Sequence, residues 1–188
     1  MRLTNNTPAP AFTGELIGGG SLSLSDLRGQ PVLLKFYRFA ECPVCNLHVR
    51  ALVRGHDEIA AAGLTTVVLF HSPLSRLERK QGFDLPFRAI ADPEKQIFGA
   101  YGVEASLGGM FDGQVARDYA RAMGAGFFSR PFGYHGGIKG HPADFVIDGE
   151  GVIKHAHYGE SYADSLGVAE VVSLARELEV APVSATHR

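Results

Sequence analysis

Two cysteines among 188 residues are too few to make a disulfide scaffold. Long apolar runs are also missing. None approaches the roughly 20 residues that a membrane-spanning helix needs, so a membrane span is not expected. There is no basic excess either. The net charge is −2, which argues against a nucleic-acid partner or an anionic membrane surface. The opening stretch, MRLTNNTPAPAF, is polar and Pro-rich and has no apolar signal core, which leads to an expectation of a cytoplasmic protein. Neither a linker nor an internal repeat is visible. The length fits one domain over 1–188.

What is present is a globular composition, 45% hydrophobic and 20% charged. Residues 31–39, PVLLKFYRF, form an apolar run broken only by Lys35 and Arg38, the pattern of a strand buried on both faces. A helix is predicted next, with Val49, Leu52, Val53, His56 and Ile59 on one stripe and Gly63 as its stop. Residues 64–70, LTTVVLF, read as a second strand. Ser72 is a predicted N-cap, with Pro73 at the first helical position and Gly82 at the end of that helix. A short strand to Ala91, a turn at Asp92-Pro93 and a short helix to Tyr101 follow. The run ADFVIDGEGVIKHAHYG is a hairpin with its turn at Asp148–Gly151. His155 and His157 fall on one face of its second strand, predicted to be a solvent-exposed edge. A last helix is expected from about Tyr162 to Leu178, capped by Ser161. Alternation of strands and helices implies an α/β sheet covered on both faces. A Gly-rich stretch at about 104–140 interrupts the pattern, with one or two helical turns expected at VARDYARAM.

The two cysteines stand three apart, in ECPVCNLHVR. Cys42 closes the first strand and opens a helix, where backbone N–H groups and the helix dipole favour a thiolate. Pro43 suits the first helical turn, which has no use for its missing N–H. Cys45 lies one turn on, within disulfide reach. This pattern predicts an exposed attacking thiol and a partly covered resolving thiol. Glu41 opposes acidification of Cys42, whereas Arg38, four residues before it, is a candidate cation for the thiolate. The alternative is a pair of buried, reduced thiols without a task.

FYRFAECPVC resembles the active-site corner of the thioredoxin superfamily. SLSLSDLRGQPVLLKFYRF, FRAIADPEKQIFGAYGV and DFVIDGEGVIKHAHYG resemble three landmarks of its alkyl hydroperoxide reductase/thiol-specific antioxidant (AhpC/TSA) branch, the peroxiredoxin-like proteins. The resemblance spans about residues 10–180 and implies a thioredoxin-like fold: a central mixed β-sheet flanked by helices, an N-terminal hairpin and a Gly-rich insertion before the late hairpin. It implies a redox role for Cys42 and Cys45. Three positions depart from the family. Its proline seven residues before the attacking cysteine is Lys35 here, and its threonine or serine three residues before is Phe39. Its late arginine falls at Pro142, where thioredoxins instead carry a cis-proline facing the cysteines. By that resemblance the His141–Pro142 bond is expected to be cis and in contact with Cys42, with Phe39, Pro43 and His141 lining the substrate site.

These readings lead to a thiol oxidoreductase with Cys42, Cys45 and Pro142 as its catalytic residues. Dithiol–disulfide exchange is the first expectation, and peroxide reduction of the peroxiredoxin type is its close rival. Cofactors and a metal are not expected. The partners implied are a disulfide or peroxide substrate and an external thiol reductant of the thioredoxin or glutathione type, with a homodimer left open. A more distant reading is a Cu/Zn-binding metal-delivery protein of the same fold, using the cysteines with His48, His135 or His141. A binding protein without redox activity is the remaining option.

Overall fold

Every residue of Val32–Tyr37 is buried, as the apolar run requires of a strand covered on both faces. The computed structural model describes residues 1–81, 85–103, 113–127 and 140–180. Its elements run β1 (Thr7–Pro8), β2 (Thr13–Leu16), β3 (Ser21–Ser23), β4 (Val32–Tyr37), α1 (Pro43–Arg54), α2 (His56–Ala61) and β5 (Thr65–Phe70). They continue with α3 (Leu74–Gln81), β6 (Arg88–Ala91), α4 (Gln96–Ala100), α5 (Gly113–Gly124), β7 (Ala143–Ile147), β8 (Val152–Tyr158) and α6 (Val168–Val180).

One eight-stranded sheet has the order β1-β8-β7-β4-β5-β6-β2-β3. β4 pairs parallel with β5, and β5 pairs parallel with β6. On its other side β4 pairs antiparallel with β7, which forms the late hairpin with β8. Gly18, Gly19 and Gly20 turn the early hairpin β2–β3 with positive φ values of 89°, 100° and 83°, which favour glycine. Side chains of β4 alternate between two cores. Leu33 and Tyr37 face α1, α2 and α6, in contact with Val49, Ile59 and Val171 or their neighbours. Leu34 and Phe36 face α4 and the N-terminal segment, among Ile97, Phe98 and Tyr101. Helices thus cover both faces, as the alternation implies. No helix among the described residues is long and apolar enough to cross a membrane.

Several local expectations change. The single helix expected after the cysteines is two, broken at Gly55. A Cβ at Gly55 would lie 2.6 Å from a methyl of Val168, so α6 approaches too closely for any larger residue. Val53, assigned to the apolar stripe, is exposed at the end of α1. Ser72 does not cap α3; its hydroxyl accepts the N–H of Ala40, and Pro73 precedes the helix. Gly82 lies outside the described residues. β8 is not the sheet edge, because β1 pairs with it. The last helix begins at Val168 rather than Tyr162, and Ser161 is not its cap. The helical turns expected at VARDYARAM form the longer α5, while 104–112 and 128–139 lie outside the described residues.

Candidate active site

The strand β4 ends just before Arg38, and the chain turns over at residues 38–42 to enter α1. Three contacts fix that turn. The Cys42 N–H donates to the Phe39 carbonyl at 3.0 Å. The Ala40 N–H donates to Ser72 Oγ at 3.0 Å. Asn46 Nδ2 donates to the carbonyls of Ala40 and Cys42, at 2.9 and 2.8 Å. Cys42 becomes the N-cap of α1, with Pro43 in the first turn. Its sulfur accepts the Cys45 N–H at 3.3 Å, so it satisfies a helix donor that would otherwise be unpaired.

Both thiols are free and buried, Cys42 at 0% exposure and Cys45 at 3%. The expectation of an exposed attacking thiol is therefore corrected: β4, α1 and the surrounding apolar cluster enclose both sulfurs. Burial pushes the Cys42 thiol up, but the opposing effects are stronger together. The Cys45 thiol bonds to its sulfur, the Arg38 guanidinium lies beside it, and backbone N–H groups of Cys45 and Val44 point at it. The net result lowers Cys42 to about 7. Burial and the neighbouring Cys42 push Cys45 well above an ordinary thiol. Glu41 does not spoil this arrangement, because its carboxylate is held by Arg76 at 3.0 Å.

Arg38 is the cation of the site. It is 2% exposed, and its guanidinium stands 3.8 Å from Cys42 Sγ. The same guanidinium stacks 3.6 Å from the centroid of the Tyr162 ring and 5.1 Å from that of Phe39. Tyr162 was expected in a helix. It sits instead in the turn before α6, 2% exposed, with its hydroxyl unpartnered among the described residues.

The other candidate residues separate. Phe39 is buried beside Arg38 and His71, and Pro43 is buried in the first turn of α1. His141 lies edge-on to Tyr162, with ring centroids 5.5 Å apart, and its Nδ1 is 2.8 Å from the Gly159 carbonyl. Its contact with Tyr162 links it to Arg38, and through Arg38 to Cys42. The His141–Pro142 bond is not cis; the described residues contain no cis peptide bond. Pro142 is buried before β7, accepts the Gly159 N–H through its carbonyl at 2.9 Å, and packs its ring towards Gly159. The late loop joins the neighbouring hairpin strand, and its backbone takes the ordinary trans form. Among the described residues no group of three or more His, Cys, Asp and Glu side chains could hold a metal ion. His135 and Arg130 lie outside those residues, and Arg121 pairs with Asp118 on α5 at 3.2 Å.

Sequence reading missed Lys35 and Asp144 as a unit. They face each other across β4 and β7, and their buried side chains pair at 2.8 Å. One charge inside each of two adjacent apolar strands was the available signal. Tyr162 and Ser72 carried no signal, since each depends on a contact between segments far apart in sequence.

The model of the AhpC/TSA family matches residues 6–156. A chloroplastic peroxiredoxin Q of Oryza sativa subsp. japonica is 28% identical over 114 residues, covering 60% of this chain and 52% of that protein. The chain thus spans about half the length of that plant relative. A reduced 2-Cys peroxiredoxin of Plasmodium vivax superposes with a TM-score of 0.70 at 17% identity, covering 94% of this chain and 82% of the other. The peroxidoxin BcpB of Mycobacterium tuberculosis gives a TM-score of 0.68 at 15% identity, with 94% and 99% covered. These likenesses show the thioredoxin-like fold.

Proposed function

This chain belongs to the AhpC/TSA family, and we propose that it is a thiol-dependent peroxidase in which Cys42 attacks and Cys45 resolves. The observation that carries this reading is the pairing of full burial with activation at Cys42. A sulfur at 0% exposure, lowered to about 7 beside Arg38, suits an oxidant of a few atoms. It is poorly placed to meet a disulfide on a protein surface. Peroxide reduction therefore takes precedence over general dithiol exchange, and the trans His141–Pro142 bond removes one of the features on which the exchange reading rested, the cis-proline.

In this reading the Cys42 thiolate attacks the terminal oxygen of a peroxide. The O–O bond breaks, the leaving oxygen takes a proton, and Cys42 becomes a sulfenic acid. Arg38 holds the thiolate and faces the charge that builds on the departing oxygen. Cys45, one helical turn away, gives up its proton and attacks the oxidised sulfur. Water leaves and an intramolecular disulfide forms. An external thiol then supplies the two electrons that reset the pair.

Peroxide consumption with dithiothreitol as reductant tests the proposal. The wild type should turn over hydrogen peroxide, and Cys42→Ser should fall to the rate of buffer and reductant alone. Equal rates in the two proteins would reject it.

A further inference from the structure

A concavity lies along α1, away from the corner where Arg38 meets Cys42. Its volume is about 390 Å³, within the range of small-molecule sites. It is bounded by α1, α5 and the segment that leads into α6. Tyr37 and Lys35 of β4 lie on its floor, and His48 lines its α1 wall. Burial lowers the pKa of His48, so its imidazole is neutral near pH 7.

The charges around this cleft do not balance. Lys35, Arg50, Arg54 and Arg121 line it as cations, against the carboxylates of Asp118 and Glu170. Lys35 is committed to Asp144 and Arg121 to Asp118. Glu170 accepts the Gly167 N–H at 2.8 Å. Arg50 and Arg54 form no ion pair with another described residue; the Arg50 guanidinium rests 4.6 Å from the Phe127 ring centroid. Two like charges at i and i+4 on one helix face weaken the helix slightly. No carboxylate of another described residue neutralises either charge, so the pair leaves a positive rim on a small cleft. Such a rim concentrates anions and raises their encounter rate.

The cleft also lies close to one particular sulfur. Cys45, His48 and Leu52 stand at i, i+3 and i+7 on α1, so Cys45, itself buried, lies one turn before His48 on the face that His48 and Leu52 turn to the cleft. Tyr37, on the floor, is close enough to Cys45 for that thiol's charge to help raise its own pKa, after burial and Asp144.

We propose that this cleft binds a small thiol bearing carboxylates, which reduces the oxidised protein by attacking Cys45. This rests on the peroxidase reading only for the origin of the disulfide. The ligand thiolate attacks Cys45 Sγ, the S–S bond breaks, and Cys42 leaves as a thiolate held by Arg38. Of the two sulfurs Cys42 is the more acidic and hence the faster leaving group. A second ligand thiolate attacks the outer sulfur of the mixed disulfide on Cys45. The ligand disulfide departs, and Cys45 takes up a proton. Two thiols are oxidised and one protein disulfide is reduced.

The test oxidises the protein with diamide, so that the disulfide does not depend on peroxide chemistry. It is then reduced with mercaptosuccinate, 2-mercaptoethanol or cysteamine at low ionic strength, each rate being normalised to that thiol's rate with a small model disulfide. Acid quench, alkylation and mass spectrometry follow the reduction. Mercaptosuccinate should exceed mercaptoethanol by about tenfold or more, and cysteamine should be slowest. In an R50Q/R54Q double variant the ratio of mercaptosuccinate to mercaptoethanol should fall towards one. In wild type, 0.5 M salt should do the same. A ratio near one in wild type, a ratio unchanged in the double variant, or failure of diamide to form the disulfide overturns the proposal. An intact charge preference in a protein that does not turn over peroxide would instead sink the peroxidase reading alone.

Discussion

The guanidinium of Arg38 reaches to 3.8 Å from the sulfur of Cys42, with both side chains buried. A cation confined beside a thiol in a low-dielectric setting stabilises the thiolate much more than the same pair would in water. The reactivity of Cys42 should therefore rise as pH passes through about 7 and level off above it. Arg38→Met keeps most of the volume and removes the charge. It should move the midpoint towards the ordinary thiol range and slow alkylation by iodoacetamide at pH 7 roughly tenfold. Arg38→Lys should fall between. A titration of thiolate absorbance at 240 nm checks the shift; an unmoved midpoint in Arg38→Met would assign the acidity to the helix terminus and Cys45 alone.

Lys35 and Asp144 pair at 2.8 Å in the centre of the sheet. Asp144 also accepts the Ser165 hydroxyl and the Leu166 N–H, and Lys35 donates to the Leu166 carbonyl at 3.0 Å. The pair therefore pins the start of α6 to β4 and β7. Lys35→Met strands a buried carboxylate and should cost about 3–5 kcal/mol in urea unfolding. Adding Asp144→Asn, which keeps the acceptor without the charge, should recover much of that loss. A single variant as stable as wild type would contradict this account.

His71 is 1% exposed, and neither ring nitrogen has a hydrogen-bond partner among the described residues. Burial, with Lys95 adding to it, lowers its pKa to about 4. In the unfolded chain it titrates near ~6.5. Between these values the unfolded state binds the extra proton, so the stability present above ~6.5 is lost as pH falls towards about 4. The loss should reach roughly 3 kcal/mol. His71→Leu should remove it, which is read as a smaller fall in stability between pH 7 and pH 4.5 than in wild type. Parallel pH profiles would refute the assignment.

Gly55 separates α1 from α2 under α6, where a Cβ would meet Val168. Gly55→Ala should cost about 1–3 kcal/mol through overpacking, and Val168→Ala should relieve it in the double variant. Thermal unfolding of the three variants decides this.

Much of the fold was legible because it rests on local pattern. The apolar run at 31–39, the β-branched run at 64–70 and the late hairpin each specify their element without distant contacts. The elements that changed depend on packing between distant segments. Gly55 is kept small by Val168, more than a hundred residues later, and Ser72 turns away from its helix to hold Ala40. Tyr162 reads as helical by its neighbours, yet it is taken up by the cation of Arg38. The cysteine spacing and the place of Arg38 were visible as a thiol site. Its burial was not, because what encloses it comes from several separate segments. The cis expectation at Pro142 came from a family pattern; the observed bond is trans, and the Pro142 carbonyl accepts the Gly159 N–H.

The central claim is that Cys42 is oxidised by peroxide and Cys45 closes the disulfide. Its most direct test counts thiols and traps the intermediate after one equivalent of hydrogen peroxide. Reduced wild type should lose two titratable thiols and gain one intramolecular disulfide. Cys45→Ser should lose one thiol and yield a Cys42 sulfenic acid that dimedone labels and mass spectrometry locates. Wild type that keeps both thiols, or Cys45→Ser that gives no labelled Cys42, would contradict the account.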